Sequence, residues 1–200
     1  MDKMQQKVLC IKSDLLFQKG KWNGLLQSDL DYYYDLLRQQ SEFRVRAELE
    51  DDPSFKQIIV QVILKYNGKY FLHKQVHANE KRLNSLSIIP LGGHIEQFDA
   101  LEGQDIIQVA LEREMAEEAE IATQILNKKF LGLIYLEDGN PVNYMHVGLL
   151  YLFDLESDAV KMHEDGLETI GWVDAEYLRA NTTQISYWSK VFVEAILTQP

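Results

Sequence analysis

Cysteine is almost absent from this 200-residue chain. The single Cys10 cannot close an internal disulfide and fits a reducing compartment. Four prolines and eleven glycines form no linker-like tract, and no repeat or low-complexity segment interrupts the sequence. Long apolar runs are missing too. The longest, such as 147–153, is far too short to cross a bilayer, and the opening MDKMQQKVLCIKSD lacks the apolar core and small-residue cleavage site of a signal peptide. A cytoplasmic location and no membrane partner are therefore expected. Basic residues are outnumbered, 20 against 31 acidic, which sets the net charge at −11. A surface so acidic, with no concentrated basic patch, repels a nucleic-acid backbone, so no nucleic-acid polymer is expected as partner. What is present in quantity is core material: 46% of residues are hydrophobic, including ten Tyr, eight Phe and three Trp. That is enough to bury a sizeable core at this length.

The pattern along the chain alternates strands and helices. Residues 7–12 read as a short strand. Ser28 is a plausible N-cap for a helix over 29–40, where Leu30, Tyr33, Tyr34 and Leu37 fall at helical spacing. Residues 43–49 alternate like a strand. The clearest hairpin joins 56–66 to 69–73 through Asn67-Gly68, the pair suited to the positive φ angles of a type I′ turn. Further strands are expected at 85–91, 121–126, 130–136, 143–154 and 167–173, and helices at 105–119, 175–180 and 189–198. This order predicts an α/β (α+β) protein with a mixed sheet flanked by helices. Residues 1–52 read as an N-terminal extension packed on a main domain over 53–200.

The chemistry concentrates in one stretch, a strand running into Gly92-Gly93 and then, past a loop, a glutamate-rich helix. At about 100° per residue, Glu117 and Glu118 fall roughly 60° to one side and 40° to the other of Glu114. Ile107, Leu111, Met115 and Ala119 form an i, i+4 stripe beside that arc, so the carboxylates border the core. Like charges this close repel by a few tenths of a kcal/mol per pair. Hard divalent cations such as Mg²⁺ would offset the repulsion and reconcile so acidic a chain with an anionic substrate. The plain alternative is a solvated acidic face neutralised by Arg113 and Lys128.

Arg113-Glu114-Met115-Ala116-Glu117-Glu118-Ala119, with Ile121 beyond, resembles the Nudix family motif G-x5-E-x7-R-E-U-x-E-E-x-G-U, where U is a bulky aliphatic residue. A looser likeness to a bacterial subgroup of Nudix phosphoesterases runs over about 54–180, through Lys56-Gln57, Arg82-Leu83 and Gly171-Trp172-Val173. Two positions depart from the motif. Eleven residues instead of five separate Gly93 from the acid at Asp105, with Glu102 a second candidate there, and Glu120 stands where the family has glycine. A left-handed cap at Glu120 would cost roughly 1 kcal/mol, so a different helix end is expected.

The resemblance implies an α/β/α sandwich and a hydrolase that cleaves a diphosphate linkage in a small-molecule or nucleoside diphosphate substrate. It implies Mg²⁺ or Mn²⁺ on Glu114, Glu117, Glu118 and the Gly92 carbonyl, with Arg113 steadying the carboxylates and Asp105 supporting the loop. Lys81, Arg82 and His94 are candidates for phosphate contact, weighed against surface charge and a structural hydrogen bond. Glu164 and Glu168 are candidates for an extra carboxylate. Tyr66, Tyr70, Phe71 and Tyr144 read as core aromatics before base-stacking ones, and Cys10 as a buried apolar residue. A homodimer is compatible with the pattern. Two other readings stand beside hydrolysis: a non-catalytic ligand sensor on the same fold, and a diphosphate isomerase, for which Cys10 is a poor acid/base candidate.

Overall fold

The structure, a computed structural model, describes residues 3–75, 87–163 and 167–197. Its strands are β1 (Lys7–Lys12), β2 (Gly24–Leu26), β3 (Glu42–Val45), β4 (Phe55–Tyr66), β5 (Lys69–Gln75), β6 (Ser87–Ile88), β7 (Ala119–Ile121), β8 (Ile125–Tyr135), β9 (His146–Leu155), β10 (Val160–Met162) and β11 (Leu167–Asp174). Its helices are α1 (Ser13–Leu16), α2 (Leu30–Gln40), α3 (Arg46–Leu49), α4 (Ile106–Glu118), α5 (Pro141–Tyr144), α6 (Ala175–Ala180) and α7 (Tyr187–Phe192). The protein is thus a mixed α/β fold on a large mixed sheet. The chain divides into two compact units, one made of residues 1–60, 93–112 and 131–150, the other of 61–92, 113–130 and 151–200. The chain crosses between them inside β4, α4, β8 and β9.

In the first unit β1 lies between two antiparallel partners, with Leu9 opposite Phe43 on β3 and Cys10 opposite Gln57 on β4. Val8, Cys10, Leu49 and Phe55 form a buried cluster there. β2 pairs with the end of β8, Gly24 opposite Tyr135. At Gly132, φ is +143° and any Cβ would collide with the Leu26 carbonyl oxygen, so the two backbones meet where only glycine fits. An aromatic group of Phe17, Trp22, Tyr33 and Tyr135 fills the space beside it, ring centroids 4.9–6.0 Å apart.

In the second unit the expected hairpin is present. Tyr66 pairs with Lys69 across Asn67 (φ +47°) and Gly68 (φ +75°), the two positive angles of a type I′ turn. β11 runs antiparallel to β5 from Leu167–Gln75 to Asp174–Lys69, with a bulge between Thr169 and Gly171. Phe71, Leu72 and Phe192 are fully buried, and each such side chain contributes about 1.5–3 kcal/mol over its exposed state. β7 and β10 form a separate two-stranded ribbon.

Several local expectations are corrected. Ser28 is not the N-cap of α2. That place is held by Asp29 in a left-handed conformation (φ +53°) without a side-chain cap bond, its carboxylate instead 3.1 Å from Lys19 Nζ. The alternating stretch 43–49 is strand only to Val45, then winds into α3, which buries Leu49. The strand expected at 121–126 ends at Ile121, and β8 starts at Ile125. Residues 141–144 form a short helix before β9. The closing helix begins at Tyr187, two residues early, because Ser186 caps it by accepting from Ser189 N–H. The strand expected at 85–91 is regular only over Ser87–Ile88 among the described residues, with Leu91 bridged to Val62.

Candidate active site

The carboxylate turn rests on the way α4 begins and ends. At its start Asp105 Oδ1 accepts from Ile107 N–H at 3.0 Å, an N-cap bond that satisfies one orphan donor of the first turn. Asp105 Oδ2 accepts from the Tyr34 hydroxyl at 3.1 Å and lies 3.3 Å from Arg38 Nε, so α2 fixes the cap. Glu102, the second candidate, is exposed on a turn. The enlarged loop between the glycines and the helix has its own order: a 3₁₀ turn at Gln97–Asp99 is closed by a reciprocal capping box between Glu96 and Asp99.

The helical wheel holds. Ile107, Ala110, Leu111, Met115 and Ala119 are buried, while Glu112 and Glu117 are exposed. Glu114, at 8% exposure, sits at the core border, and Arg113 compensates its charge: Nη1 donates to Glu114 Oε1 at 2.7 Å and to Glu117 Oε2 at 3.1 Å. Glu118 is held differently, with Oε2 accepting from Gly92 N–H at 2.8 Å. At Gly92, φ is +138°, which a side chain would strain, so the glycine lets the backbone turn its N–H onto that carboxylate.

The end of α4 departs from a glycine cap. His163 N–H donates to the Glu118 carbonyl at 3.1 Å, and His163 Nε2 donates to the Ala116 carbonyl at 2.7 Å. The backbone then enters β7, where Glu120 pairs with Lys161. Among the described residues positive φ outside glycine occurs only at Asp29 and Asn67, so Glu120 makes no left-handed cap and carries none of its strain.

The other candidates distribute as follows. His94 Nε2 is 2.9 Å from Gln57 Oε1 and 3.1 Å from His146 Nε2, all in the first unit. Glu168 pairs with Lys74 Nζ at 3.0 Å on the neighbouring strand. Lys81, Arg82 and Glu164 lie outside the described residues. Tyr70 and Phe71 are core, Tyr66 sits edge-on to Trp172, and Tyr144 is half-buried with Lys56 Nζ 6.0 Å from its ring centroid. Lys128 Nζ lies over the Phe153 ring at 5.2 Å. Cys10 is fully buried, and burial pushes its thiol up to about 12, which leaves it inert as an acid or base. Two polar residues unassigned from sequence, Gln57 and His146, are buried. So is Lys56, whose ammonium donates to the Pro53 and Phe55 carbonyls and is pushed below its usual value by burial. Lys56 also lines a cavity of about 490 Å³ with Phe17, Lys21, Tyr135 and Tyr144. The sequence signal for Lys56 and Gln57 was their place in the looser family likeness; His146 had only its position in an apolar run.

Among the described residues no three His, Cys, Asp or Glu side chains are gathered as a ready cation cage; the glutamates are distributed over Arg113 and Gly92 instead. The donor chemistry nevertheless fits a hard cation, since carboxylate and backbone carbonyl oxygens at one helix end are the ligands Mg²⁺ and Mn²⁺ take.

No family model matches the chain. It is similar to Protein YmaB of Bacillus subtilis (strain 168), 26% identical over 206 residues that span 98% of this chain and 100% of that protein. Its structure is similar to that of Tm1382, provisionally described as a Nudix hydrolase, with 25% identity and a TM-score of 0.81, covering 96% of this chain and 98% of the other. DR0079 from Deinococcus radiodurans shares the fold at 14% identity and a TM-score of 0.53, over 86% of this chain and 96% of that one. Among the described residues no helix is long and apolar enough to cross a membrane.

Proposed function

We propose that this chain, which belongs to the Nudix hydrolase family, cleaves the diphosphate linkage of a small organic or nucleoside diphosphate substrate with Mg²⁺ or Mn²⁺ at the C-terminal turn of α4. The observation that carries the reading is the joining of motif parts distant in sequence. Gly92 N–H meets Glu118, while Arg113 holds Glu114 and Glu117 on the same turn.

In this reading Glu114, Glu117, Glu118 and the Gly92 carbonyl hold the cation. Arg113 orients two carboxylates through its hydrogen bonds, so their repulsion does not scatter them. When bound, the cation supplies positive charge against the phosphoryl oxygens and acidifies the attacking water. Glu117, the most exposed of the three with its side chain 56% accessible, is the carboxylate this reading assigns to receive a proton from the attacking water. Glu114, at the core border, is the least solvated ligand and anchors the set. Asp105 acts on the helix start, capping its first turn through Ile107 N–H.

The test is a panel of nucleoside diphosphate derivatives and other organic diphosphates, scored by released phosphate or nucleotide with Mg²⁺ and with Mn²⁺. Turnover abolished by EDTA and restored by either ion is the expected result. Undiminished turnover in chelated buffer removes the cation from the mechanism. Tight binding of a diphosphate without turnover under every condition would make the chain a ligand sensor.

A further inference from the structure

Within the first unit two imidazoles and an amide converge. His94 Nε2 lies 3.1 Å from His146 Nε2 and 2.9 Å from Gln57 Oε1. The Val142 carbonyl, 2.6 Å from His146 Nδ1, can only accept, so Nδ1 carries the proton and Nε2 turns its lone pair toward His94. Gln57 is 1% exposed and its Nε2 has no partner, so protein hydrogen bonds leave this amide under-satisfied. His146 is 6% exposed, whereas His94 is only half-buried.

We infer that His94, His146 and Gln57 form a binding site for one borderline transition-metal cation of the Zn²⁺, Co²⁺ or Ni²⁺ class, held by both Nε2 atoms and the amide oxygen. Nitrogen ligands at about 2.0–2.1 Å from a shared ion and 3.1 Å from each other subtend roughly 100° at it. The 2.9 Å separation of Gln57 Oε1 from His94 Nε2 gives roughly 90° by the same construction. Both are ordinary angles between neighbouring ligands. The backbone bond to His146 Nδ1 is the kind of outer contact that fixes the tautomer and direction of a metal-ligating histidine. Imidazole donors favour this class of ion over Mg²⁺, so the site differs in selectivity from an all-oxygen carboxylate turn. The three ligands come from different elements: β4 supplies Gln57, the segment after the glycines supplies His94 and bridges to Ile59, and β9 supplies His146. A cation would therefore tie three parts of the unit together.

Tag-free full-length protein is titrated with Co²⁺ and, in competition, Zn²⁺, read by visible absorption and by proton NMR. The expected result is one ion taken up, with d–d bands stronger than an all-oxygen six-coordinate site gives. Two exchangeable, paramagnetically shifted imidazole N–H signals should accompany it. His94→Ala should weaken uptake at least about 10-fold, as loss of a direct ligand should exceed the effect of an outer contact. Gln57→Glu, of the same shape, should tighten it at least about 10-fold, while Glu117→Gln should leave the bands and shifted signals in place. No uptake, or bands that survive His94→Ala and vanish in Glu117→Gln, overturns the site. A Gln57→Glu protein that gains nothing overturns it as well, and it remains a readout if a histidine variant folds poorly.

Discussion

Replacing Arg113 by methionine, close in length and without charge, should weaken the protein more through its bond to Glu114 than through its bond to Glu117. The Arg113 side chain is 15% accessible. Its bond to Glu114 is 2.7 Å to a side chain 11% accessible, whereas its bond to Glu117 is 3.1 Å to one 56% accessible. A charge-assisted bond in so little solvent is worth about 1.5–3 kcal/mol. An exposed i, i+4 pair is worth about 0.3–0.5 kcal/mol, because water and salt screen it and both side chains lose freedom. Arg113→Met should thus cost about 2–3 kcal/mol, most of it from the lost charge-assisted bond to Glu114 at the core border. Double-mutant cycles with Glu114→Gln and Glu117→Gln, measured by urea denaturation at pH 7 in EDTA, separate the two couplings. Repeating them in 1 M salt, where the Debye length is about 3 Å, should erase the Glu117 coupling and leave most of the Glu114 coupling. Equal couplings, or a Glu114 coupling that disappears in salt, would show that Arg113 merely neutralises a solvated face.

Glu117→Gln and Glu118→Gln should each lower kcat by at least about 10²-fold on any substrate found, the scale of losing one electrostatic stabiliser, while Glu112→Gln on the opposite face stays near wild type; steady-state kinetics of the three decide it. His73, 2% exposed, is pushed down to about 4 by burial, so the unfolded chain takes up a proton first as pH falls. Its contribution is complete above about pH 6.5 and is lost progressively down to about pH 4, by a total of order 3 kcal/mol. Urea midpoints of His73→Leu should therefore fall less steeply across that window than those of the wild type, and parallel curves would refute it. Gly132→Ala drives a Cβ into the Leu26 carbonyl at φ +143° and should cost roughly 3 kcal/mol, read as a lower Tm; an unchanged Tm would mean that β2 is free to move away.

What could be read ahead of the structure was whatever repeats with a period or demands a particular dihedral. The stripe of Ile107, Leu111 and Met115 located the buried face of α4, and Asn67-Gly68 announced its turn, because each signal is local and backed by a steric rule. Ends of elements were misread where a distant partner decides them. Val45 stops being strand because α3 buries Leu49, and the helix over 187–192 begins where Ser186 finds Ser189 N–H. The site divides in the same way. Wheel positions placed Glu114, Glu117 and Glu118 on one turn, but nothing in sequence reveals that Gly92 N–H takes Glu118, or that His94 settles beside His146 fifty-two residues away. Those meetings depend on strand register, which a single sequence leaves open.

The junction of α4 with β7 has a consequence for motion. A helix end whose final carbonyls have only water as partner frays from its last turn. Here His163 occupies the carbonyls of Ala116 and Glu118, and the next three residues are already in a ladder with β10. Opening the glutamate turn means unzipping the β7–β10 ribbon with it, so backbone amides from Met115 to Ile121 should exchange with solvent as one cooperative unit, without the graded protection of a fraying end. The carboxylates are carried on a stretch of backbone whose local disorder has been removed by an element that supplies none of them.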